Sequence, residues 1–330
     1  MTPNKGQRIL GLLILILCII SVPVGLWGKS SSSVSDEKIG RDADSSFPLL
    51  GRRDRIQVIK LGGMIMNDDS NDSIIPDRNS SNYVRKQLRK AAKDDHIKAI
   101  LLSINSPGGT VAMSQEISDA VRDIKENGKL VYASMGDVAA SGGYYIASQA
   151  DKVYACPGTL TGSIGVIMHL MSLQEIEQKV GIKPYTIKSG EFKDIGTMDR
   201  PPTKEEEKLL KDIIMDSYDQ FITAVSEGRK LDKEVVRKLA DGRIYSGRQA
   251  LAVKLVDSLG GYEEALNELK KVCKEKYKKD LAVDEGRSSS IIGALLESTA
   301  KPLPKMDLLN GVIPESMNPR FLNQPLWIMQ

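Results

Sequence analysis

Histidine is almost missing from this chain: its 330 residues include two, His96 and His169. His96 lies in the polar turn Lys93-Asp94-Asp95-His96, and His169 follows Ile167-Met168 in an apolar run. These are ordinary places for a solvated and a core imidazole, so a hydrolytic site with a histidine base is disfavoured from the start. Cysteine is scarce as well. Cys18, Cys156 and Cys273 form an odd, scattered set with neither a disulfide framework nor a metal-ligand spacing, and no metal or cofactor is expected. Aromatic residues are 5% of the chain, the formal net charge is +3 and the pI is about 8.5. A basic stripe interleaved with aromatics is therefore lacking, and nucleic acid is not an expected partner. No internal repeat is evident.

Hydrophobic residues make up 41% of the chain, enough for a sizeable core in one large domain or two smaller ones. One apolar segment stands apart. Ile9 to Trp27 carries no charge, is about as long as a bilayer core requires, follows Lys5 and Arg8, and ends on an interfacial tryptophan. It predicts a membrane anchor over residues 1–28 with the N-terminus in the cytoplasm and the rest of the chain outside. The alternative, a cleaved signal peptide, lacks a clean small-x-small site in Val24-Gly25-Leu26-Trp27. The Ser- and Asp-rich stretch that follows, to about residue 54, reads as a flexible tether.

From Ile56 onward strand and helix patterns alternate. Strands are predicted at Ile56 to Leu61, Lys98 to Ile104, Leu130 to Ser134, Lys152 to Ala155 and Tyr185 to Lys188. Helices are predicted at Tyr83 to Ala92, Val111 to Glu126, Ser141 to Ala150 and Leu173 to Val180. Repeated βα units imply a mainly parallel sheet with crossover helices, an α/β fold. After Arg200-Pro201-Pro202 the character turns helical. Thr203 and Glu206 form a capping box, and an apolar stripe of Ile213, Ile214, Tyr218, Phe221, Ile222 and Val225 runs along the helix to about Gly228. Shorter helices are predicted at Lys233 to Ala240, Ser246 to Asp257 and Glu263 to Lys274. The proline-bearing end, Pro302 to Gln330, reads as extended.

Two glycine-rich stretches carry the chemistry. Ser103-Ile104-Asn105-Ser106-Pro107-Gly108-Gly109 and Gly136-Asp137-Val138-Ala139-Ala140-Ser141-Gly142-Gly143-Tyr144-Tyr145 each join a strand to a helix-like pattern. A serine at such a junction has its hydroxyl near free backbone N–H groups, and a Pro-Gly-Gly turn can aim further N–H groups at the same point, as an oxyanion hole needs. Ser141 is the strongest nucleophile candidate, although Ala139 replaces the first glycine of a Gly-x-Ser-x-Gly elbow. The plainer reading of Ser141 is a helix N-cap. Ser106 and Ser163 read as groove-shaping residues. With histidine set aside, the base is a lysine, which works only where the free amine is populated. Lys188 and Lys193 are both open at this point. Glu191 and Asp194 beside Lys193 favour its charged form, so the site must hold those carboxylates away from it.

In these residues the chain resembles the signal peptide peptidase A family in its short, single-repeat form. The matching motifs are Asn105 to Gly109, Asp137 to Tyr145, Thr161-Gly162-Ser163-Ile164-Gly165-Val166 and Ser189-Gly190-Glu191-Phe192-Lys193-Asp194. The resemblance covers roughly Ile56 to Val272. It implies a Clp protease/crotonase-like spiral βα fold, here with a helical C-terminal layer, and a serine peptidase domain over residues 55–272; the N-terminal tether and the C-terminal extension over 273–330 match no motif of the family. It also implies a Ser–Lys dyad of Ser141 and Lys193, with Gly108, Gly109 and Gly142 as backbone oxyanion donors. Peptide substrates such as remnant signal peptides follow from it, with Ile104, Val138 and Ile164 as apolar lining. So does a homo-oligomeric ring, outside the cytoplasmic membrane, in which neighbouring protomers complete each site. Rival expectations are a related membrane protease that cleaves a stomatin-like protein, a crotonase-like acyl-CoA enzyme, and a non-catalytic scaffold. The C-terminal tail is expected either to pack on a neighbour or to lie in a groove as a pseudo-substrate.

Overall fold

The structure is a computed structural model, and it describes residues 53–67, 77–286 and the backbone of 326–328. The expected anchor, the tether before residue 53 and most of the C-terminal extension lie outside the described residues. Among the described residues no helix is long and apolar enough to cross a membrane.

The first described strand, β1 (Arg55–Gly62), leads into α1 (Ser81–Lys93), β2 (Ile97–Ser106), the short β3 (Gly108–Thr110), α2 (Val111–Glu126) and β4 (Leu130–Ala140). Helix α3 (Gly142–Ala147), β5 (Lys152–Ala155), β6 (Leu160–Gly162) and α4 (Gln174–Val180) follow. The C-terminal layer comprises α5 (Lys204–Arg229), α6 (Lys233–Leu239), β7 (Ile244–Ser246), α7 (Gly247–Ala252), β8 (Ser258–Leu259), α8 (Tyr262–Tyr277) and β9 (Ala282–Asp284). Far along the chain comes β10 (Leu326–Ile328).

The main sheet runs in the order β7-β6-β4-β2-β1-β9, with β5 joined to β4 and β8 to β5. Its pairings are parallel except β6 with β7. This mixed α/β architecture with a parallel-rich sheet agrees with the alternation read from the sequence. Both faces are covered, as a parallel sheet requires. Along β1 and β2 the side chains divide by parity. Ile56, Val58, Ala99 and Leu101 pack with Ala265, Leu266, Leu269 and Cys273 of α8 on one face. Ile59, Leu61, Ile100, Leu102 and Ile104 join the larger core on the other. That core includes Met113, Ile117, Ala120, Val121 and Ile124, the stripe expected on α2.

Strand β4 shapes the site region. Its first half pairs with β5 (Tyr132 to Met135 against Lys152 to Ala155) and its second half with β6 (Val138 to Ala140 against Leu160 to Gly162). Between the halves the register against β2 slips, from Ile104 opposite Met135 to Ser106 opposite Ala139. The extra residues on β4 make a bulge, which bends the strand. Asn105 stitches it: its side-chain Oδ1 accepts the Val138 N–H at 3.1 Å.

Several expected elements differ. Leu130 to Ser134 is the start of a strand that continues to Ala140, because the bulge lets β4 serve two partners in turn. The helix expected from Ser246 to Asp257 ends at Ala252, where Lys254 takes a positive φ and the chain turns into β8. The strand expected at Tyr185 to Lys188 is not formed. Tyr185 is 88% and Ile187 87% exposed, and the segment pairs with no strand among the described residues. Alternating apolar residues signal a strand only where a sheet edge is there to receive them. The capping box is present on α5, with the Glu206 N–H donating to Thr203 Oγ1 at 3.2 Å and the Thr203 N–H to Glu206 Oε2 at 2.8 Å. Of the expected α5 stripe, Phe221, Ile222 and Val225 are buried, whereas Ile213 nearer the N-terminus is 43% exposed.

Candidate active site

Both glycine-rich stretches arrive at one place. Ser106 ends β2, Gly108 and Gly109 open β3, and Ser141 joins β4 to α3. The contact is close enough to explain two of the glycines. A Cβ on Gly143 would lie 2.8 Å from the Ser106 carbonyl oxygen, and one on Gly109 would lie 1.9 Å from the Ile65 carbonyl oxygen. Neither approach is open to a residue with a side chain.

Ser141 is held in an uncommon conformation, φ 51° and ψ −118°. Its N–H donates to the Gly162 carbonyl at 2.8 Å, and its own carbonyl accepts the Tyr145 N–H at 2.8 Å. The residue is fully buried, yet Oγ has no hydrogen-bond partner among the described residues and caps no N–H of α3. The plain N-cap reading therefore fails. A strained backbone of this kind costs on the order of 1–3 kcal/mol and persists where surrounding structure enforces it, as at functional sites. An unsatisfied buried hydroxyl adds to that cost. Here the enforcing contacts are the Gly162 bond, the Thr161 Oγ1 bond to the Ala139 carbonyl at 2.7 Å, and the packing of α3. Tyr144 is buried and donates its hydroxyl to the Leu255 carbonyl at 2.9 Å; burial raises its pKa. Burial also pushes Tyr145 up to about 12, and its ring meets Phe221 edge-on at 5.2 Å.

Of the expected oxyanion donors, Gly142 opens α3, and Gly108 and Gly109 lie on β3, which packs against that helix. The Gly108 N–H donates to Ser106 Oγ at 3.1 Å. Ile65 bonds to the two residues flanking Gly109, through its N–H to the Gly108 carbonyl at 2.8 Å and its carbonyl to the Thr110 N–H at 2.7 Å. Because backbone groups alternate along a strand, the N–H and C=O of Gly109 face the opposite side. That side is occupied. β10 pairs antiparallel with β3, with Leu326 opposite Thr110, Trp327 opposite Gly109 and Ile328 opposite Gly108. β10 also runs beside α3. Of the expected apolar lining, Ile104 and Ile164 are fully enclosed in the core and Val138 is half-buried. Ser163 has a positive φ of 48° and is 8% exposed, in the turn after β6.

Lys193 is at the surface of the chain. It is exposed, and within one chain it is not hydrogen-bonded to Ser141, whose Oγ is unpartnered. Its turn ends a segment with an unusual apolar surface that includes Ile176, Val180, Ile182, Tyr185, Ile187 and Phe192, all exposed. Lys188, the other candidate base, is tied up within the same segment. Its Nζ donates to Asp194 Oδ1 and to the Glu191 carbonyl, both at 2.8 Å. Arg200 Nη2 also reaches Asp194 Oδ1, at 3.0 Å. Hydrogen bonds from Lys188 first, then Arg200, hold the Asp194 carboxyl below its ordinary range. Arg200, followed by the Thr203 N–H, draws Glu206 down to about 2.

Comparison with known proteins agrees with this assembly. A family model described as Peptidase family S49 matches residues 123–276, and one described as Clp protease matches residues 71–161. A protein of Enterococcus faecium named for signal peptide peptidase SppA is 38% identical over 72% of this chain and 68% of its own length. A protease of Methanocaldococcus jannaschii is 35% identical over 78% of this chain and 82% of its own length. The chain belongs to peptidase family S49. It is a serine peptidase. A protease of Synechocystis sp. is 47% identical over 55% of this chain, which spans 66% of that relative.

Three residues that support the S49 site had no assigned role in the sequence reading. Asn105 stitches the β4 bulge, Ile65 holds the far side of β3, and Arg200 links the Lys193 turn to α5. Asn105 had a signal, being inside a glycine-rich motif with no other task for its amide. Ile65 had none, because its contact is formed by its backbone.

Proposed function

We propose that the chain is a membrane-anchored serine endopeptidase with a Ser141–Lys193 dyad, acting on apolar peptides such as remnant signal peptides outside the cytoplasmic membrane. The single observation that carries the reading is Ser141: a buried, strained serine whose hydroxyl has no partner among the described residues, at the start of a helix that packs against β3. Ser141 Oγ attacks the peptide carbonyl while neutral Lys193 takes its proton. N–H groups of Gly108 and Gly142 receive the oxyanion, with Gly109 close by and with Gly108 giving up its bond to Ser106 Oγ. The C–N bond breaks as protonated Lys193 returns the proton to the leaving amine. Water, activated by the same amine, then releases the acyl group and restores Ser141.

The lysine is supplied by a neighbouring copy of the chain. In support, Ser141 Oγ has no partner among the described residues, and Lys193 stands at the end of an exposed apolar strip of the kind that marks contact surfaces. A head-to-tail contact of that sort builds a ring when its rotation closes. The uncharged Ile9 to Trp27 segment supports anchoring. The signal-peptide substrate rests on the name of the Enterococcus relative and on the motifs. Family membership favours this reading over an acyl-CoA enzyme; a stomatin-like substrate remains a variant of the same chemistry. The β10–β3 pairing further supports a groove in which an extended peptide adds to β3, with the chain's own tail in that position.

Mixing tests the assignment. Ser141→Ala and Lys193→Ala should each be inactive alone. Combined during assembly, they should regain peptidase activity, because some sites then join an intact serine to an intact lysine. Activity in Lys193→Ala alone would refute the dyad, and dead mixtures with normal assembly would refute the shared site.

A further inference from the structure

The carboxylate next to the base is already spoken for. Asp194 follows Lys193 in the chain, and a free carboxylate so close would hold an ammonium in its charged form. Instead Asp194 Oδ1 receives Lys188 Nζ at 2.8 Å and Arg200 Nη2 at 3.0 Å. Arg200 is itself shared. Its fork grips Glu206, Nη1 to Oε2 at 2.7 Å and Nη2 to Oε1 at 2.6 Å, and Glu206 is the capping residue of α5 with a side chain only 2% exposed. One guanidinium thus bridges the Lys193 turn to the start of the longest described helix. The planar fork suits this task, since a lysine at the same position could not make the paired contact.

We propose that Arg200 is a positioning residue for the general base: by holding the Asp194 carboxylate toward α5 it keeps negative charge off Lys193 Nζ and fixes the turn that presents it. This rests on the Ser141–Lys193 reading. The charged groups around the knot are Glu177 of α4, Lys183 and Lys188 after it, Glu191 and Asp199 on the turn, and Glu206 of α5. At its centre Asp194 is the acid adjoining the base, and Arg200 and Lys188 are the cations on its carboxylate. The low Asp194 pKa fits a carboxylate held ionised and engaged. Removing Arg200 leaves that carboxylate with Lys188 alone, free to turn toward Lys193. The base then stays protonated to higher pH.

The test is the pH dependence of kcat/KM for an apolar fluorogenic peptide, measured on the assembled full chain. Arg200→Ala should move the acid limb upward by about one pH unit and lower kcat near pH 7 about tenfold, with KM within about twofold. Adding Asp194→Asn to Arg200→Ala should bring the limb back, which repair of a merely structural staple would not do. Asp194→Asn alone, which keeps Arg200, should move the limb downward and serves if Arg200→Ala fails to assemble. An Arg200→Ala limb superimposed on wild type overturns the proposal, whatever happens to the melting temperature. So does a limb that Asp194→Asn fails to restore, or one that Asp194→Asn alone moves upward. Lys193→Ala separates the two levels. If it is inactive while the Arg200→Ala limb is unmoved, only the role of Arg200 falls; if it is active, the dyad falls and the Arg200 role with it.

Discussion

Removing the C-terminal tail should release the enzyme from its own occupant. In the β10–β3 ladder Trp327 sits opposite Gly109, whose N–H and C=O face away from Ile65, so the pair exchanges two backbone hydrogen bonds. A net value of about 1 kcal/mol for each gives about 2 kcal/mol for the tail in the groove. At 1.4 kcal/mol per tenfold, that leaves about one groove in 30 open to a competing peptide. Deleting Pro302 to Gln330 should therefore raise kcat/KM for an apolar peptide about 30-fold, mostly through KM. Trp327→Pro removes one of the two donors and should give about fivefold. The assay is steady-state cleavage of a fluorogenic peptide by full-length and truncated chains, with light scattering to follow oligomer size. Unchanged kcat/KM at unchanged size would refute the reasoning, since a strand bonded to β3 cannot be removed without consequence if β3 receives substrate.

Two further outcomes follow from geometry already described. Gly109→Ala places a Cβ 1.9 Å from the Ile65 carbonyl oxygen, so backbone must shift; a loss on the order of 1–3 kcal/mol in urea unfolding, with loss of peptidase activity, is expected. Gly158→Ala, where a Cβ meets nothing within 4 Å, should stay within about 0.5 kcal/mol and serves as the control. Acid should loosen the α5 start. Arg200 draws Glu206 down from an ordinary 4.5 to about 2 in the folded chain. Its contribution is thus fully present above pH 4.5 and is lost as pH falls toward 2. The difference in urea midpoint between wild type and Glu206→Gln should shrink across that window, and a difference that is flat with pH would contradict the assignment.

Much of the framework was legible in the residues because its signals are local. Helix α2 has the predicted bounds, and the capping box of Thr203 and Glu206 is formed as its spacing required. The repeated βα units pointed to a parallel-rich sheet, and such a sheet is present. At the site, Ser141 stood out by its small neighbours, but the sequence could not exclude a plain helix cap; that required the backbone angles and the unpartnered, buried Oγ. Nor could it separate Lys188 from Lys193 without the resemblance, because the ion pair that engages Lys188 depends on how the turn closes on Asp194. The strand expected at Tyr185 to Lys188 failed for the same kind of reason. Its alternation is genuine, but whether a segment pairs is decided by what lies beside it, and no single chain need supply that neighbour.

Strand β4 has a wider consequence. Its two halves answer to different neighbours, β5 at one end and β6 at the other, and Ser141 follows directly on the second half. Damage to either junction is therefore felt at Ser141. A chain clipped in the loops beyond β5 loses one of those two neighbours, and with it part of the frame around Ser141.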